Sequence, residues 1–168
     1  VRDSGHGLSI EQAIEAESRR WLERLAEVTA LGDGRELRFE GPILRWDPRE
    51  LDLLTQMVAE RMEEHLHRIF GLLALIHPPS DVGAAHLSLL TGQPALRADA
   101  LEYLDNTLAG ELRRNVFAVI DDVPVLEKIA AIARSARMRS RVDVIRGVLA
   151  DDPVGNSDAQ ALVVAGLY

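Results

Sequence analysis

Two stretches bring paired carboxylates together. "VIDDVP" spans residues 119–124, and "LADDP" spans residues 149–153. Each places two aspartates just ahead of a proline, after an apolar run. Paired aspartates can hold a metal ion or divide acid and base roles. A third candidate is Glu64-His65-Leu66-His67, whose Glu-x-x-His spacing sets Glu64 and His67 on one face of a helix. A di-iron bundle needs two such motifs and two further glutamates, and the chain has one motif. His65 and His67 lie two apart and so point to different sides. Ser4-Gly5-His6-Gly7 has the residue types of a nucleophile loop without its context. Phosphate-loop and dinucleotide fingerprints do not occur. These readings predict no enzyme, no catalytic residues, no metal and no cofactor.

The aspartates have a structural explanation. Prolines at Pro94, Pro124 and Pro153 are almost evenly spaced, each after a short polar turn that closes an apolar segment. The double aspartates occupy the same phase of that spacing. Proline at the first helical position loses no intrahelical hydrogen bond. An aspartate ahead of it can accept from free N–H groups and suits the positive end of the helix dipole. Asp122 and Asp152 are therefore predicted to be structural caps, as are Ser9 and Asp47. Ser9 would open a capping box with Gln12, and Asp47 precedes Pro48 and Glu50.

Those caps must position helices. Ile10, Ala13, Ile14, Trp21, Leu22, Leu25 and Val28 recur at helical spacing up to Gly32-Asp33-Gly34. Residues 35–46, with Gly41-Pro42, break the pattern and predict an irregular or extended connector. From Asp47, apolar residues step by threes and fours through Ile76, giving a second long helix that stops at His77-Pro78-Pro79. Shorter helices follow over 80–90, 94–108, 111–120, 125–136 and 141–149, with a further helix over 158–167. Trp21 is expected in the core, and Trp46 is expected to staple the start of the second helix.

The chain has 168 residues, 47% of them apolar, and suits one domain of 1–168 with a sizeable core. Two longer helices occupy 8–77, with the connector at 32–46, and paired helices fill 78–168. The longest apolar stretch, "IFGLLALI" at 69–76, is too short to span a bilayer. Cysteine is absent, which excludes disulfides and thiolate metal sites. A net charge of −8 argues against nucleic-acid binding. Of the 19 basic residues only Lys128 is lysine. Arg134, Arg137, Arg139 and Arg141 gather at one expected turn, a place to contact an anion, a lipid headgroup or an acidic partner. The first residue is Val1, and the chain is expected to be a fragment of a longer protein.

Helix pairs punctuated about every thirty residues resemble HEAT repeats. The resemblance implies an all-α fold, with antiparallel helix pairs stacked as a right-handed α-solenoid after the two longer helices. Residues 72–122, above all "LRADALEYLDNTL" (96–108) followed by "ELRR" (111–114), resemble the cytoplasmic HEAT-containing region of bacterial ATP/ADP carrier-like transporters. That likeness covers about a third of the chain. It implies a non-catalytic scaffold or protein-interaction module, cytoplasmic, whose partner is a protein or a neighbouring domain of its own chain. Any membrane association would come only through the parent protein. The alternative is a small-ligand-sensing or regulatory domain with a pocket between the long second helix and the first repeat. Where the HEAT pattern commonly has Asp-Pro followed by an aromatic, this chain has Asp152-Pro153-Val154-Gly155, a departure in the final repeat.

Overall fold

The computed structural model describes residues 4–32, 37–45, 47 and 52–133. Six helices and one small hairpin follow in chain order: α1 (Ser4–Leu31), β1 (Arg38–Glu40), β2 (Ile43–Arg45), α2 (Leu53–Leu73), α3 (Pro79–Leu90), α4 (Pro94–Thr107), α5 (Gly110–Ile120) and α6 (Val125–Ala133). The described part is thus mainly helical, as expected. Among the described residues no helix is long and apolar enough to cross a membrane.

The apolar spacing of α1 puts Ile14, Trp21, Leu25 and Val28 on one buried stripe. Val58, Met62, Leu66, Ile69 and Leu73 of α2 form the opposing one. These two helices make the most extensive contact in the fold. Burying side chains of this size stabilises by roughly 1.5–3 kcal/mol each. α3 packs on α2, α4 pairs with α3, and α5 touches α4 but lies chiefly against α1, with α6 beside it. The path therefore returns to its first helix.

Two caps differ from expectation. The backbone is already helical from Ser4, so Ser9 lies inside α1 and is not its N-cap. At α2 the cap is Asp52, not Asp47. The Asp52 carboxylate accepts from the Thr55 backbone N–H at 2.9 Å and from the Thr55 hydroxyl at 3.0 Å. Asp-Leu-Leu-Thr wins because its cap sits directly ahead of the buried stripe, which begins at Thr55 and Val58. Asp47 is exposed and outside the helix. At the other end α2 stops at Leu73, and the Leu75 and Ile76 N–H groups reach only three residues back, to Leu72 and Leu73. The approach to Pro78 and Pro79 tightens the last turn in this way.

The connector forms a hairpin in which Glu40 faces Ile43 and Arg38 faces Arg45. Its two-residue turn is Gly41-Pro42. Gly41 has φ 63°, the glycine-first arrangement of a type II′ turn. Asp152, Pro153, Trp46 and the expected helices over 141–149 and 158–167 lie outside the described residues.

Candidate functional site

The hairpin, α1 and the α5–α6 turn converge on a cluster of charge. Arg97 occupies the buried stripe of α4, with Ala100 and Leu104 one and two turns on. Its guanidinium lies against the hairpin turn, where a Cβ on Gly41 would collide with it. It pairs with Asp122 at 2.8 Å and donates more weakly to the Ile120 carbonyl at 3.3 Å. Beside it, Lys128 of α6 donates to the Val119 carbonyl at 2.6 Å and stands 5.4 Å from the centre of the Trp21 ring. Two cations thus hold the carbonyl end of α5, where the helix dipole is negative. Burial drives the Lys128 pKa down from 10.5 to about 8; Asp121 and Asp122 oppose that shift and Arg97 adds to it.

Asp122 is therefore not the helix cap expected of it. α6 starts at Val125, and the Pro124 carbonyl accepts the first N–H groups, from Glu127 and Lys128. The Asp122 carboxylate instead answers a buried guanidinium, whose charge would otherwise be costly. Asp121 closes α5 and accepts from the Asp122 N–H at 2.8 Å.

A cavity of about 350 Å³ opens beside this cluster. Trp21, Leu25, Leu37 and Phe39 form its apolar wall, and Asp122 and Lys128 its polar side. The indole N–H of Trp21 and Nε of Arg97 are buried without a hydrogen-bond partner among the described residues.

A second place lies between α2 and α3, where the ligand-sensing alternative expects a pocket. A groove of about 550 Å³ is lined there by Glu60, Glu63, Glu64, His67, Arg68 and His86, with Leu66 and Leu90. His86 stacks on Phe70 at 4.5 Å and tilts against His67 at 5.5 Å. Burial first, then the neighbouring His67, lowers the His86 pKa. Burial and Glu60 raise that of Glu63, against the pull of Arg45. The Glu-x-x-His pair, Glu64 and His67, does meet on this face. Among the described residues no three histidines or carboxylates converge to hold a metal ion.

His65 faces the other way, as its spacing requires. Its Nδ1 lies 2.6 Å from Oε2 of the equally buried Glu17, and the carboxylate can only accept, so Nδ1–H donates. Arg20 holds the other Glu17 oxygen at 2.6 Å. This link ties α1 to α2 within the core.

Arg134, Arg137, Arg139, Arg141 and Asp152 lie outside the described residues. Sequence reasoning passed over Glu17, Arg97 and His86. Arg97 carries a signal, a cation at a helical position reserved for apolar side chains. Lys128 carries another as the sole lysine. Comparison with family models, with curated proteins and with solved structures gave no match.

Proposed function

We propose that this chain is a non-catalytic helical interaction module, HEAT-like in its pairing of short helices. In this reading it is the soluble, cytoplasmic part of a transporter-like membrane protein, and its partner is a protein or a neighbouring domain of the same chain. The observation that carries the reading is the apolar edge at the α3–α4 turn. Leu87 is 63% exposed, and Leu90 and Leu96 are exposed as well. Isolated surface leucines, such as Leu75 and Leu126, are ordinary, but Leu87 and Leu90, three apart, share one side of α3 and Leu90 lines an acidic groove, which suits a docking edge. The arginines at 134, 137, 139 and 141 extend the reading as contacts for an acidic partner or anionic headgroups. α5 and α6 fold back on α1, so a HEAT-like stack would be built from the α3–α4 pair outward.

The test is site-specific photocrosslinking from position 87 or 90 in cells expressing the full-length protein. One stoichiometric protein adduct, lost in Leu87→Asp/Leu90→Asp but kept when an exposed residue of α1 is changed, is the expected result. Crosslinks that are absent or scattered over many proteins would contradict it.

A second reading has its own support in the α2–α3 groove. Its volume suits a small ligand, and its three glutamates call for a cationic one. Calorimetric titration with small polyamines separates the two readings, since the interaction module predicts no saturable heat.

A further inference from the structure

We propose that Lys128 is a covalent capture site for a small apolar aldehyde or ketone, which it holds as an imine in the cavity beneath the hairpin. This goes beyond the interaction-module reading and needs no catalytic turnover.

Arg97 and Lys128 are balanced by Asp121 and Asp122, and Arg97 is already paired with Asp122 at 2.8 Å. The cluster therefore has no surplus positive charge to attract an anion. The apolar side of the cavity, Leu37 and Phe39 backed by the buried Trp21 and Leu25, suits an uncharged body. What the cavity offers such a body is an amine. Lys128 is buried and is the only lysine in the chain. With its pKa near 8, about a tenth of the amine is uncharged at pH 7. A lysine desolvated in an apolar pocket is activated as a nucleophile.

The step balances without any oxidant. The neutral Nζ attacks the carbonyl carbon, and the C=O electron pair moves to oxygen, which takes a proton. Loss of water from the carbinolamine then leaves C=N. Asp122 lines the same cavity and can accept and return the proton. In its protonated form the imine keeps one N–H, which can continue to donate to the Val119 carbonyl, now at 2.6 Å from Nζ. The contact that holds the end of α5 need not be lost when the adduct forms. Lys128 also borders a larger groove of about 780 Å³ between α1 and α5, a second side from which water can leave.

The experiment incubates the full chain with benzaldehyde and sodium cyanoborohydride, which makes any imine permanent, and maps the product by peptide mass spectrometry. The α-amino group of the chain is the internal reference. Lys128 should be labelled about tenfold faster, relative to that reference, in the folded chain than in urea. Lys128→Arg should abolish the internal adduct. Because that variant also alters the contact at Val119, Leu37→Trp provides a second arm. Filling the cavity should slow Lys128 labelling and leave the α-amino group unaffected. Lys128 labelled no faster than in urea, or equally fast in Leu37→Trp, would overturn the proposal, as would preferential labelling by anionic glyoxylate.

Discussion

The α1–α2 side and the α3–α4 pair differ in where leucine goes, although Leu53 at the start of α2 and Leu75 just past its end are also exposed. On α1 and α2, Leu25, Leu66 and Leu73 are fully buried around Trp21. On α3 and α4, Leu89 and Leu104 are buried, but Leu87, Leu90 and Leu96 face outward. Both regions are helical and rich in leucine, so composition does not separate them. The separation lies in what each helix packs against. α1 is covered by α2, α5 and α6, whereas α3 and α4 have each other and a lighter contact with α2 and α5. Helices covered on several sides use their apolar surface for stability. Helices covered on one side leave some of it exposed.

The largest effect should come from the covered side. Trp21→Ala should cost about 3–5 kcal/mol, because it empties the contact among α1, the hairpin and Lys128. Urea denaturation measures this directly, and a loss below about 1 kcal/mol would show that α1 is not the centre of the core.

Next comes the hairpin turn. Gly41→Val forces a β-branched residue into positive φ and drives its Cβ into the Arg97 guanidinium. A cost of about 2–3 kcal/mol is expected. Gly92→Ala, also at positive φ, meets the exposed Glu40–Arg45 pair, which can swing aside, and should cost less. Thermal melts of the two variants rank them.

Lys128 predicts a pH dependence. Its folded pKa of about 8 lies below the unfolded 10.5, so between those values the unfolded chain binds a proton that the native chain does not. Stability should therefore rise with pH from about 8 to about 10.5, by at most about 3 kcal/mol. In Lys128→Met that rise should vanish while the rest of the pH profile persists. An unchanged profile would mean that the amine is not desolvated.

A smaller effect belongs to the cap of α2. Asp52→Ala should lower stability by about 1 kcal/mol in urea denaturation, because the Thr55 N–H and hydroxyl lose their acceptor. No measurable loss would show that this cap does not hold the start of α2.

Much of this architecture was legible in the sequence. The apolar period and the prolines located α3, α4, α5 and the start of α6 to within a residue, because short helices between proline turns leave little freedom. The starts of the long helices were not. Ser9 and Asp47 both have the chemistry of caps, and local chemistry alone does not say which of several candidates the packed stripe will select. The hairpin was visible only as a break in the helical pattern, since three-residue strands carry almost no period. Arg97 and Asp122 show the same limit at the candidate site. Their pairing spans 25 positions and depends on how α4 meets the α5–α6 turn. An aspartate before a proline looks like a cap until a buried cation is placed beside it.

The most direct test of the contrast between the two regions is the double substitution Leu87→Asp/Leu90→Asp, with unfolding free energy and partner crosslinking measured on the same protein. Leu87 is the more exposed, and Leu90 lines the acidic groove. The account predicts a stability change of about 1 kcal/mol or less together with loss of the crosslinked partner. A loss of several kcal/mol would contradict it by showing that these leucines hold the fold together. Undiminished crosslinking would contradict it by showing that the α3–α4 edge is not where the partner docks.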